Sequence, residues 1–308
     1  MERTAWDPEG VDILLDETGS LSQAESAASI DLRALYKKLV GARSIDLRLS
    51  RMGLPLWASA AGEESALVSA GMNLREGDWL YPSARDAAAV FARGVGVTEL
   101  AEHVLGLDLR PRLPGDLAVP GAEVAAACES LGLSLVVATG HARAMAQAGS
   151  DNIAMCTFGE GTTSSGSFHE AMCIAGSQSL PVVFVCKSQM WPEGAPAEAG
   201  TFGDSVAERA AGYGFFTRRT DGADPVSTFL AVERAVEHAR AGRGPALVEV
   251  VVTQLAHDPP GHRDPVERLR RHLDGTGVWT KTFQDVIEAE VRGQLDKVAE
   301  RVQTEAQA

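Results

Sequence analysis

Three strand-length apolar runs constrain this chain more than anything else in it: "NIAMCTF" (152–158), "PVVFVC" (181–186) and "PALVEVVV" (245–252). Each is apolar on consecutive positions, so both faces of each strand must be buried. The stretches between them carry helical spacing. Strands of that kind alternating with helices predict an α/β fold in which a parallel sheet is wrapped by helices. "GFFTRRTDG" adds a short strand and turn ahead of a helix over 225–241. With 308 residues, 45% of them hydrophobic, the chain can bury one large core.

The remaining elements follow from the same spacing. Leu32, Leu35, Tyr36, Leu39 and Leu47 predict an amphipathic helix over 31–51. "AAGEESALVSAGMNL" reads as a glycine turn into a second helix, and "DWLYPS" as a short strand. A helix is expected over 85–107, a Pro/Gly-rich loop over 108–121, and a further helix from 122 to the next strand. The organisation expected is an N-terminal arm over 1–30, an α/β domain over 31–282 and a charged helical tail over 283–308, with no repeats.

Charge excludes some partners. Forty-two acidic against 28 basic residues give a net charge of −14, with no basic tract, so nucleic acid and anionic membranes are not expected partners. No apolar run approaches a membrane span, and the polar, acidic start shows no secretory signal. The four cysteines have no paired short spacing and read as reduced core residues, consistent with a cytoplasmic protein.

The candidate chemistry lies in "FGEGTTSSG" (158–166), where a strand gives way to a glycine turn and a helix. In sheets of this kind ligands bind beyond the carboxyl ends of the strands, where free amides meet anions. Gly159 and Gly161 allow close backbone approach, and Thr162 offers a hydroxyl. The pattern is neither a Walker loop nor a dinucleotide fingerprint. Glu160 would repel a phosphate unless a cation lay between them. Magnesium held by Glu160 and by an amide oxygen from Gln189, with Lys187 beside it, meets that need. An ordinary crossover, with Glu160 complementing the helix dipole, satisfies the spacing equally well.

The segment "GEG…SSG…FHEA…LPVVFVC…KSQ" resembles the thiamin diphosphate motif of the α subunit of 2-oxo acid dehydrogenases, the decarboxylating first component. That family's usual line runs Gly-Asp-Gly, Ser-Glu-Gly, Phe-His-Glu-Ala, Leu-Pro-Val-x-Phe-Val-Cys and Glu-Asn-Asn. The resemblance extends over roughly residues 31–305 and includes "LYKKLVGARSIDLRLSRM", "AAGEESALVSAGMNLREGDWLYPSARD" and "RAVEHARAGRGPALVEV". It implies a thiamin diphosphate-binding fold, the diphosphate-binding half of the site, with Mg²⁺. By residue it implies Glu160, Gln189 and the backbone carbonyl of Trp191 as metal ligands. Arg85, Gly159, Gly161, Thr162 and Lys187 fall at the diphosphate, and Leu131 near the wedge that bends the cofactor. Glu63 and His257 fall at catalytic positions.

The implied partners are a β subunit carrying the pyrimidine-binding half, in an α2β2 tetramer, a small 2-oxo acid substrate and a lipoyl acyltransferase. The departures touch both the cofactor site and the handling of the acceptor. Gln189 replaces the family's Asn, Ala84 its diphosphate-gripping Tyr, and "RPRLPGDLAVPG" its Lys-Gly-Arg-Gly-Gly-Ser-Met-His segment. Two other readings therefore stand beside the dehydrogenase: two-carbon transfer to an aldehyde or ketone, and a non-catalytic subunit.

Overall fold

The apolar runs form the centre of a five-stranded, wholly parallel sheet, in the order β1-β2-β3-β5-β4 among the described residues. The strands are β1 (Trp79–Tyr81), β2 (Ala154–Gly159), β3 (Val182–Gln189), β4 (Phe216–Asp221) and β5 (Ala246–Val252). The computed structural model describes residues 8–23, 25, 27–54, 57–105, 119–128, 130–189, 205–257, 259 and 261–305.

Alternate residues of β2, β3 and β5 feed two separate cores, which is why these strands are apolar without interruption. Met155, Val183, Val185, Val248 and Val250 face one layer. Ala154, Cys156, Phe158, Val182, Phe184 and Leu247 face the other. The first layer contains α1 (Leu32–Arg51), α2 (Glu64–Met72), α3 (Ala87–Arg93), α4 (Val97–Leu105) and α8 (Pro225–Arg240). The second contains α5 (Leu133–Gln147), α6 (Gly166–Ser177) and α7 (Val206–Ala211). The helices α9 (Pro265–Gly275) and α10 (Lys281–Glu305) complete the chain.

Several boundaries differ from the sequence reading. The helix expected over 85–107 is two helices, broken where Gly94 adopts φ +120°, a conformation that ends α3. The helix expected from 122 begins only at Leu133. Pro120–Ala122 form a short 3₁₀ turn instead, and Val124 bridges Leu80 at the edge of β1. Much of the 108–121 loop lies outside the described residues. Of the cysteines, Cys156 and Cys186 are buried, but Cys173 is exposed on α6 and is not a core residue.

Described residues near both ends are tied to the sheet. Asp12 bridges Thr220 on the edge strand β4, and the Asp224 carboxylate accepts from the amides of Leu14 (2.6 Å) and Leu15 (2.8 Å). The helix α10 buries Ile287, Val291, Leu295 and Val298 at helical spacing. No helix among the described residues is long and apolar enough to cross a membrane.

Candidate active site

The register of the sheet sets the site. Gly159 at the end of β2 lies opposite Lys187 of β3, and Gln189 lies opposite Val252 of β5. The turn carrying Glu160 therefore stands beside the last residues of β3, at the carboxyl edge where parallel sheets bind ligands. Residues Glu160–Ser164 form one 3₁₀ turn before Ser165 caps α6, accepting from Phe168 N at 3.2 Å.

Glu160 is half-buried, and that burial raises its carboxyl pKa above the usual range. Hydrogen bonds from its own backbone N–H and that of Gln189 lower it in part; Glu63 raises it further and Arg85 lowers it. The four residues thus share one electrostatic neighbourhood. A Cβ built at Gly159 or Gly161 would meet no described atom within 4 Å, so the backbone of the turn is open to close approach.

The Gln189 amide is oriented by Glu63. Its Nε2 donates to Glu63 Oε1 at 2.8 Å, which commits the nitrogen and leaves the carbonyl oxygen as the atom able to act as a ligand. Gln254, two residues beyond β5, donates to the same carboxylate oxygen at 3.2 Å. Glu63 Oε2 lies 3.1 Å from Lys187 Nζ as an ion pair, without an aligned hydrogen bond. Lys187 also pairs with Asp86, whose carboxylate accepts from Ser83 N at 2.7 Å and from Thr157 Oγ1. Burial by itself would lower the Lys187 ammonium's pKa, but Asp86 and Glu63 outweigh it and hold the pKa above its usual range. Glu63 and Asp86 are wholly buried and Lys187 is 2% exposed.

The other expected site residues are distributed as follows. Arg85 is exposed, makes no ion pair or hydrogen bond among the described residues, and lines a small cleft with Trp57, Ala60 and Glu64. Thr162 is buried within the turn. Leu131 is 69% exposed, and the bend that follows it packs on the start of α6: a Cβ on Gly132 would lie 2.4 Å from Ser165 Oγ. The backbone of His257 belongs to a 3₁₀ turn, Leu255–His257, which Leu255 N ties to Ala61 O at 3.0 Å; its side chain lies outside the described residues. Trp191 lies outside them altogether. Asp86 and Gln254 went unrecognised in the sequence. "ARD" and "TQL" carry no signal beyond a possible helix cap, and only the fold brings them to Lys187 and Glu63.

These residues fit the diphosphate end of a cofactor held through a divalent cation. Among the described residues three carboxylates (Glu63, Asp86 and Glu160) stand against two cations (Lys187 and Arg85), a net negative group that an anion meets more favourably through a further cation. Among the described residues no group of three or more His, Cys, Asp or Glu forms a metal site. A site of one carboxylate plus amide and backbone oxygens has a different composition, and it suits Mg²⁺, which takes few protein ligands.

Comparison with known proteins settles the family. Residues 42–258 match the model of the dehydrogenase E1 component. The chain belongs to the dehydrogenase E1 component family. It is a divergent α-type member, and membership implies thiamin diphosphate as the cofactor. It is 30% identical over 286 residues to the 3-methyl-2-oxobutanoate dehydrogenase subunit alpha of Mycobacterium tuberculosis, covering 85% of this chain and 75% of that protein. The 2-oxoisovalerate dehydrogenase subunit alpha of Bacillus subtilis is 30% identical over 250 residues, 78% of this chain and 76% of its own length. The pyruvate dehydrogenase E1 component subunit alpha of Bacillus cereus is 24% identical over 303 residues, 91% and 80% respectively.

Proposed function

We propose that this chain is the α subunit of a cytoplasmic thiamin diphosphate-dependent E1 enzyme that decarboxylates a small 2-oxo acid. It would act with a β subunit in an α2β2 assembly and pass the acyl unit to a lipoyl acyltransferase. The observation that carries this reading is the juxtaposition of Glu160 with Gln189 at the carboxyl ends of β2 and β3, inside a chain of this family. In this reading Glu160, the Gln189 carbonyl oxygen and the Trp191 backbone carbonyl hold Mg²⁺. Arg85, Thr162 and the amides around Gly159 and Gly161 receive the diphosphate, and Leu131 packs against the bound group.

When bound, the cofactor supplies the carbanion chemistry that makes loss of carbon dioxide possible. The chain's own work is to bind, orient and dry. Glu63 fixes the Gln189 amide, the Glu160 turn offers N–H groups to the anion, and His257, on the loop after β5, takes a catalytic role in this reading. The altered segments 108–121 and 254–265 favour a second reading for the acceptor alone: a carbonyl compound in place of lipoamide.

The α–β complex tests both. Calorimetry should show thiamin diphosphate binding with Mg²⁺ and none with chelator, and labelled carbon dioxide should be released from pyruvate or a branched 2-oxo acid. Metal-independent binding would overturn the ligand assignment. Absence of decarboxylation with every 2-oxo acid tried would leave a non-catalytic subunit. Reductive acylation of lipoamide, compared with transfer to an aldehyde, decides the acceptor.

A further inference from the structure

Lys187 occupies the last buried position on the face of β3 that also carries Val183 and Val185. Its ammonium does not reach solvent. It meets Asp86 and, at 3.1 Å, Glu63, two carboxylates delivered by separate elements. Both acids sit at the N-cap positions of helices, Glu63 before α2 and Asp86 before α3, and neither side chain caps its own helix. An acid at that position ordinarily accepts from the first free amides of the helix. Here both turn away from that role towards one lysine.

Each acid then uses its other hydrogen bonds to fix a neighbouring part of the site. Asp86 holds Ser83 N and Thr157 Oγ1, and so the loop that presents Arg85. Glu63 holds the amide nitrogens of Gln189 and Gln254. For Lys187 to grip a diphosphate it would have to release a buried carboxylate, leaving that charge without a partner in a dry site. Arg85, exposed and free of any ion pair among the described residues, carries no such penalty.

We propose that Lys187 is a positioning residue: it clamps Asp86 and Glu63 together, setting the Arg85 loop through one and the Gln189 amide through the other. The clamp does not rest on the cofactor reading above, in which Arg85 receives the diphosphate.

The test compares the full chain with three variants: Lys187→Met, the charge-cancelled Lys187→Met/Glu63→Gln/Asp86→Asn, and Arg85→Ala. Without ligand, Lys187→Met should melt roughly 10 °C lower, because it strands two buried carboxylates. The charge-cancelled variant should recover most of that loss. Hydrogen exchange at residues 83–86 should speed up in Lys187→Met while the amides of β2 and β3 stay protected, a local effect that general loss of stability does not give. Arg85→Ala should keep the parental melting temperature and, in complex with the β subunit, bind Mg²⁺–thiamin diphosphate at least about 10-fold more weakly, the order expected on losing a charged contact.

A Lys187→Met chain that melts with the parent overturns the clamp, and so does a charge-cancelled variant no more stable than the single one. If Lys187→Met does not fold, the charge-cancelled variant decides alone. Parental affinity in Arg85→Ala overturns its assignment to the diphosphate. If the parent complex itself binds no Mg²⁺–thiamin diphosphate, the cofactor reading fails, and the melting and exchange comparisons still decide the clamp.

Discussion

Gly62 shows how one backbone position governs the site. It adopts φ +101°, and a Cβ there would lie 2.0 Å from the carbonyl oxygen of Thr253, so two backbones meet where no side chain fits. That contact brings Glu63 over the ends of β3 and β5. Gly62→Ala should therefore cost at least about 2 kcal/mol in denaturant unfolding and weaken cofactor binding with it. At Asp86, burial opposes ionisation, but the Lys187 ammonium and the hydrogen bonds from Thr157 and Ser83 hold its pKa below the usual range. A carboxylate depressed in the folded state contributes stability that is fully present above its unfolded pKa of about 3.9 and is lost as pH falls through the folded value. Melting curves from pH 7 down to pH 3 should show the parent losing stability at the acid end more steeply than Asp86→Asn, which lacks that titration. Equal acid slopes would show that Asp86 does not contribute it.

At the scale of elements, α10 behaves as part of the domain and not as a loose tail. Its buried stripe of Ile287, Val291, Leu295 and Val298 packs against α1 and α4, and Arg48 reaches Asp296 at 2.6 Å. Leu295 has no exposed surface, so Leu295→Ala should cost about 3 kcal/mol, measured by denaturant unfolding. Arg301, whose ion pair with Glu102 at 2.6 Å is half in solvent, should be replaceable by Ala within about 0.5 kcal/mol. The contrast follows from solvent: water screens the ion pair but cannot replace the contacts of a buried leucine.

At the scale of the whole molecule, ligand and fold are linked. A group that binds only the folded state stabilises it by mass action, about 2.7 kcal/mol at 100 times its dissociation constant. The α–β complex saturated with Mg²⁺ and thiamin diphosphate should melt several degrees above the same complex without them, and EDTA should remove the difference. A shift that survives EDTA would place the binding energy outside the Glu160–Gln189 pair. The net charge of −14 belongs to this scale too, because the surface as a whole offers an anionic ligand no attraction and local cations must supply it.

The sheet was legible in the sequence because burial on both faces leaves an unmistakable mark. "PVVFVC" and "PALVEVVV" could be little else, and the Gly159–Glu160–Gly161 turn marked the passage from strand to helix. The bridge at Val124 was not legible, because small apolar residues such as those in "GAEVAAAC" suit a helix and an edge bridge equally well until Leu80 is there to pair with. Nor could the helix break after Arg93 be read with assurance, since a glycine inside a helical pattern ends it only in the conformation that Gly94 adopts. The partners of Lys187 were the furthest out of reach. Periodicity reports which face of an element is buried, while the meeting of Lys187 with Asp86 and Glu63 spans 101 and 124 positions and exists only because β3, α2 and α3 converge at one edge of the sheet. The sequence by itself determined the layers and the turn, because periodicity and glycine leave their mark locally; the tertiary structure decided which charges neutralise each other, because only the fold brings Lys187, Asp86 and Glu63 together.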